Sequence, residues 1–163
     1  NTQTLITNTI STEKIKTMEK KFEKPSDRIR EKETLDIFFE DKDCSFIQSD
    51  EFSKNDAKII SKELEVIGFC EVKTMFKNVE DTDYVRIGLR KICSSQEKSI
   101  LQDTPFLFIW RFNNAIGSVW LQNVKGKVEW GGRKVPREGS YFDRELMLYI
   151  NKDCLTIIDA KKL

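Results

Sequence analysis

The chain has 163 residues, 39% of them hydrophobic and 34% charged, and its 28 basic and 27 acidic side chains leave a net charge of +1. That length fits one domain and a tail, and so polar a composition leaves part of the chain outside a packed core. There is no histidine, which excludes Ser-His-Asp and Cys-His catalysis and every zinc site that contains His. No apolar run reaches the ~18 residues of a membrane span, and the first residues lack the pattern of a secretory signal. Cys44, Cys70, Cys93 and Cys154 form no C-x-x-C pair. The expectation is therefore four reduced thiols in a nuclear or cytoplasmic protein, not secreted, with no metal and no cofactor.

Residues 1–52 read as a charged, partly helical arm. Ile15, Met18 and Phe22 fall at helical spacing before Pro25, and Pro25, Ser26 and Asp27 start a second short helix carrying Ile29. Between positions 31 and 51 stand eight acidic residues against two lysines, with the apolar knot Leu35, Ile37, Phe38 and Phe39 among them.

A domain is expected over residues 53–163. Ser53 and Asp56 resemble a capping box, and Ala57, Ile60, Leu64 and Ile67 lie on one helical stripe that Gly68 ends, so the spacing predicts a helix there. Beyond Gly68 the period changes to two. Strands are expected at 70–76, at 84–92 with Val85, Ile87 and Leu89 facing one way and Tyr84, Arg86 and Arg90 the other, and at 106–112, apolar on both faces and hence central. Asn113 and Asn114 mark a hairpin into 116–124, and Lys125-Gly126 and Gly131-Gly132 mark two more. A fourth joins 146–150 to 154–158 around Asn151. The fold class read from this is α+β, mainly β: one N-terminal helix followed by a small antiparallel β-barrel or sandwich of about eight strands, without βαβ alternation.

Three constellations bear on function. In the first, Lys32, Leu35, Phe38 and Phe39 place an aliphatic residue and two adjacent aromatics where one 3₁₀ turn presents them together. This resembles the PIP box by which replication and repair proteins dock on the sliding clamp PCNA, and looks most like the clamp-binding tail of Y-family translesion polymerases of the kappa type. The resemblance implies that Leu35, Phe38 and Phe39 enter the clamp's pocket, with Lys32 at the position of the usual Gln. Phe38-Phe39 followed by four non-proline residues is also similar to a polymerase-scaffold docking motif, and an apolar cluster followed by acids is similar to a SUMO-binding strand. Alternatively, the same residues are packed on the domain.

The second constellation is basic and aromatic: Tyr84, Arg86 and Arg90 on one strand, and Lys127, Trp130, Arg133 and Lys134 around the glycine pair. Such a set on a small barrel suits stacking of bases and tracking of phosphates in single-stranded nucleic acid. It suits equally a surface of scattered charges over a core that takes the tryptophans.

The third is Glu71-Val72-Lys73, similar to the E-x-K element of metal-dependent nucleases, in which Glu binds the metal and Lys orients the water. That chemistry needs an Asp on the preceding strand. With a helix at 53–67 no such strand exists, and Glu71 is expected to lie apart from any second acid. The expected function is thus a non-enzymatic interaction protein of DNA replication or repair that docks on a sliding clamp. The alternatives are a subunit of another complex with its aromatic β-domain as interface, and a single-strand-binding barrel.

Overall fold

The computed structural model describes residues 24–50, 53, 55–132 and 144–159. The helical reading of Ile15, Met18 and Phe22 and the positions of Arg133 and Lys134 lie outside them. Helix α1 spans Pro25–Phe39. Pro25 fits the first turn, where no amide partner is needed, and the Asp27 carboxylate accepts a 3.0 Å bond from the Lys24 amide. Strands β1 (Ser45–Gln48), β2 (Ala57–Ile60) and β3 (Val66–Thr74) follow, then β4 (Tyr84–Gly88), helix α2 (Leu89–Gln102), β5 (Phe106–Arg111), β6 (Ala115–Trp120), β7 (Lys127–Gly132), β8 (Arg144–Asn151) and β9 (Thr156–Asp159). A six-stranded sheet runs β1-β2-β3-β5-β6-β9 and a three-stranded sheet β4-β8-β7.

The class is α+β and mainly β, without a closed barrel among the described residues. The sheet is not wholly antiparallel, because β3 and β5 pair in parallel, Phe69 beside Phe106 through Thr74 beside Arg111. A parallel pair requires a crossover, and β4 with α2 supplies it. Phe106 to Trp110 are buried throughout, as a central strand demands.

Residues 53–67 do not form the expected helix. Ala57 and Ile59 face the core across β2, and β2 turns back into β3 with Ile60 opposite Val66. The turn is closed by Ser61, whose Oγ accepts from the amides of Glu63 and Glu65, and by Leu64 in a left-handed conformation at φ 64°. The β-branched pairs Ile59-Ile60 and Val66-Ile67 favour strands. Gly68 acts as a point of close approach rather than a helix stop: a Cβ there would stand 2.9 Å from Ile59 Cδ1.

The strand read over 84–92 ends at Gly88, and Arg90 lies on α2. That helix closes on Asp103, left-handed at φ 47°, whose amide bonds to the carbonyls of Ile100 and Ser99. Asn113 and Asn114 do form the hairpin between β5 and β6. Gly131 and Gly132, however, lie within β7 opposite Glu145 and Arg144, and Lys125-Gly126 leads from one sheet to the other rather than into a hairpin. Likewise β8 and β9 belong to different sheets, so Asn151 marks a crossing between them.

Each face of the large sheet has its own core. Leu35, Phe38 and Phe39 of α1 pack on Ala57, Ile59, Cys70, Val72, Leu107, Ile109 and Ile116. On the other face Phe69, Phe106, Phe108 and Trp110 meet Val85, Ile87, Leu148 and Ile150 of the small sheet. Much of the arm expected over 1–52 is thus built into the fold, since α1 covers a sheet face and β1 extends its edge.

Candidate functional site

Antiparallel pairing of β2 with β3 sets Ala57 opposite Cys70, which places Asp56 opposite Glu71. Facing residues on neighbouring strands have Cβ atoms about 5 Å apart. The Asp56 amide donates to the Cys70 carbonyl at 3.0 Å, and its carboxylate Oδ2 accepts from the Val72 amide at 2.6 Å. The side chain of Asp56 thus continues the ladder at the point where the β2 backbone turns away. Contrary to expectation, Glu71 has a second acid beside it, and that acid is the residue read as a helix cap.

The loop before Asp56 is pinned. Ser49 donates its amide to the Asp56 carbonyl at 2.8 Å. Buried Asn55 donates through Nδ2 to Ser49 Oγ at 2.9 Å and to the Ala57 carbonyl at 3.0 Å, and accepts from Lys98 of α2. The Lys98 ammonium also stands 4.2 Å from the centre of the Phe69 ring.

Glu71 is 3% exposed. Its Oε1 takes a 2.8 Å bond from Lys73 Nζ, two residues on along the same strand face. Lys91 Nζ of α2 lies 2.9 Å from Oε2, yet that oxygen is buried without a hydrogen-bond partner. Burial pushes the Asp56 carboxyl up to about 7, and the Glu71 charge adds to this; the Val72 amide, Lys73 and Lys91 oppose it. Burial works against the Lys73 ammonium, but the charge and hydrogen bond of Glu71, with Asp56 and Glu31, raise it above its ordinary value. Burial, then Asp56, Glu71 and Glu31, push the Cys70 thiol up, so it stays protonated. Glu71, Lys73 and Lys91 thus lie within electrostatic reach of Asp56 at this corner of the sheet, and Glu31 of α1 acts on Lys73.

No group of three or more Cys, Asp or Glu side chains is set to hold a metal among the described residues. Two carboxylates are nonetheless enough for a magnesium-like ion, which usually takes one or two and fills its remaining positions with water and substrate phosphate oxygens. Glu71 Oε2, paired with the Lys91 ammonium at 2.9 Å, is an oxygen of the hard type such an ion requires, and an ion there would compete with that ammonium.

The other expected site residues fall elsewhere. Leu35, Phe38 and Phe39 are 0%, 6% and 7% exposed, so presenting them to a clamp pocket would mean lifting α1 from the sheet. Lys32 is paired with Asp36 at 2.8 Å on the exposed side of the same helix. Register places Arg86, Tyr149 and Lys127 in one row across the outer face of the small sheet, with Tyr84 beside them on the same strand face. Trp130 lies on the opposite face from Lys127, because their odd separation on β7 alternates sides. Of the cysteines only Cys70 is buried; Cys93 and Cys154 are exposed.

No helix among the described residues is long and apolar enough to cross a membrane. No family model, curated protein or solved structure matches the chain.

Proposed function

We propose that the chain is a divalent-cation-dependent nuclease with Asp56, Glu71 and Lys73 at its centre. One observation carries the reading: Asp56, just before β2, and Glu71 of β3 lie close enough for the Glu71 charge to act on the Asp56 carboxyl, with a lysine two residues beyond Glu71 bonded to it. A helix over 53–67 would leave the E-x-K element without a second acid; the hairpin found there brings Asp56 beside Glu71. Near-perfect balance of charge over the whole chain does not oppose this, since catalysis depends on the local set.

Each residue has a distinct task. Asp56 and Glu71 would supply the oxygen ligands, Asp56 half-buried and Glu71 buried. A bound divalent cation would polarise a phosphoryl oxygen and make water a stronger nucleophile. Lys73 stays an ammonium, so it acts as a donor that orients the attacking water and neutralises charge on the phosphate, not as a base. Lys91 offers a second positive charge from α2. Lys73 and Lys91 neutralise Glu71 in this structure; a cation bound at Glu71 would leave their donors available to a substrate phosphate. Hydrolysis joins the water oxygen to phosphorus, breaks the bond to the leaving sugar oxygen, and passes one water proton to solvent and one to that oxygen.

The test is cleavage of labelled single-stranded and duplex DNA and RNA with magnesium or manganese. Activity should vanish in EDTA and in Glu71→Gln and Lys73→Met. If no nucleic acid is cut with either ion, or if Glu71→Gln cuts normally, the proposal fails.

A further inference from the structure

Strand β1 is the outermost strand of the large sheet, and among the described residues no strand pairs with its outer edge. Such an edge offers unpaired main-chain donors and acceptors to any extended chain that reaches it. An open groove of about 520 Å³ runs along this edge. One wall is α1, through Lys32, Asp36, Phe39 and Glu40, whose spacing puts them on a single helical stripe; the other is residues 44–48. The walls are tied together. Gln48 Nε2 donates to the Arg28 carbonyl at 3.1 Å, Arg28 Nη2 donates to the Ser49 carbonyl at 3.0 Å, and the Phe39 and Phe46 rings stand 5.8 Å apart. The groove is therefore formed before anything enters it, and little ordering is left to oppose binding.

Pairing with β2 sorts the side chains of β1. Phe46 stands opposite Ile59 and Gln48 opposite Ala57, on the side that α1 covers, so Ile47, 58% exposed, points to the other side. A strand added at the edge obeys the same alternation, sending every second side chain into the groove and the others past Ile47. Phe39 and Phe46 give the groove an apolar surface, and the carboxylates of Asp36 and Glu40 outnumber the Lys32 ammonium in its lining. The stretch around it, positions 31 to 51, carries eight acids against two lysines. A long basic side chain suits both features, its stem on the rings and its charged head at the carboxylates. Beside Ile47 an aliphatic side chain fits.

The geometry points to β1 and the flank of α1 as a docking site for an extended peptide of another protein, one that alternates basic and aliphatic residues and joins the large sheet as a further strand. Main-chain bonds to β1 supply affinity, and the groove selects the side chains. The site stands apart from the nuclease reading: Cys70 and Val72 pack on the α1 side of β3, so Glu71 and Lys73 face the opposite side.

The experiment is fluorescence anisotropy of the full chain with a short labelled peptide alternating lysine and valine. A glutamate–valine peptide and two lysine–valine peptides, each N-methylated on one alternate set of amides, serve for comparison. The parent should bind the lysine peptide, more weakly as salt rises, and should discriminate against the glutamate peptide. Methylating one set of amides should abolish binding and methylating the other should leave it, because only the set facing β1 enters the ladder. Asp36→Asn with Glu40→Gln should weaken the lysine peptide by roughly 3- to 20-fold. Asp36→Lys with Glu40→Lys should reverse the preference toward glutamate. Both positions are exposed, so melting temperatures should stay near the parent's. Failure of the parent to bind the lysine peptide, affinity indifferent to the groove variants, or two methylated peptides that behave alike overturns the inference. So does a dimer of the chain alone in sedimentation that the groove variants dissociate, which would assign the edge to a second copy.

Discussion

Replacing Asp56 by Asn should make the protein more stable while abolishing cleavage. Asn keeps the shape and an acceptor for the Val72 amide, now at 2.6 Å from Oδ2, but removes the charge. The folded carboxyl titrates at about 7 instead of 3.8. Between those values the folded state holds a proton that the unfolded state has lost, so stability falls as pH rises through the window and the penalty is complete above it. At about 1.4 kcal/mol per unit the full shift amounts to about 4 kcal/mol. Asp56 is only half-buried and its residual hydration screens the effect, so about 2 kcal/mol, or roughly 5 °C in melting temperature, is the expected gain at pH 8. Thermal unfolding in EDTA at pH 8 and pH 4 tests it: the gap between variant and parent should be wide at the first and nearly closed at the second. Adding magnesium should stabilise the parent and leave Asp56→Asn unmoved, since only a cation-binding folded state gains by mass action. A variant less stable than the parent at pH 8, or a gap independent of pH, would refute the reasoning.

Three further outcomes follow from the packing. Phe38→Ala with Phe39→Ala should lower stability by about 3–5 kcal/mol or more, because both rings lie in the α1 core; chemical denaturation reads this, and an unchanged midpoint together with lost binding to a sliding clamp would restore the docking reading. Lys91→Ala should tighten magnesium binding in calorimetry several-fold and slow cleavage, since the ammonium 2.9 Å from Glu71 Oε2 repels a cation there and attracts phosphate; weaker magnesium binding would contradict the assigned role. Leu64→Gly should raise the unfolding free energy, read by chemical denaturation, by up to about 1 kcal/mol, as an 81%-exposed leucine at φ 64° contributes little packing and carries left-handed strain.

Where the sequence was legible, a side chain had one reasonable place to go. A run such as Phe106 to Trp110, apolar at every position, has to be buried on both faces, and the alternation of Val85 and Ile87 with Tyr84 and Arg86 fixes which side of β4 meets the core. The knot at Leu35, Phe38 and Phe39 is visible too, as side chains on one side of a 3₁₀ turn, although its partner, a clamp pocket or the domain itself, is open to either reading. Residues 53–67 misled because Ala57, Ile60, Leu64 and Ile67 satisfy a helical stripe while Ile59-Ile60 and Val66-Ile67 satisfy a hairpin. Only the left-handed turn at Leu64, a conformation leucine seldom adopts, decides between them, and nothing in the residue type announces it. That single ambiguity also hid the site, since Asp56 read as a helix cap cannot face Glu71. The basic set divided for a similar reason: Arg90 passed to α2 once β4 ended at Gly88, and the strand through Gly131 and Gly132 sent Trp130 and Lys127 to opposite faces.

The energetics of this corner of the sheet argue for chemistry rather than architecture. β2 ends its backbone pairing at Asp56, and the ladder is completed by a carboxylate where any main-chain carbonyl would serve at no electrostatic penalty. Next to it sits a second, nearly inaccessible carboxylate, each of its oxygens paired with a lysine, one from β3 and one from α2. A buried carboxylate and ammonium set of this kind seldom adds net stability, because desolvation offsets most of the attraction. Apolar side chains at 56, 71 and 73 would extend the neighbouring core made by Phe69, Phe106 and Phe108. The fold therefore carries a local instability at one point where two strands separate and two helices contribute charge. Destabilised, pre-arranged acids of this kind are what divalent-ion phosphoryl chemistry requires, and they are what packing alone would remove.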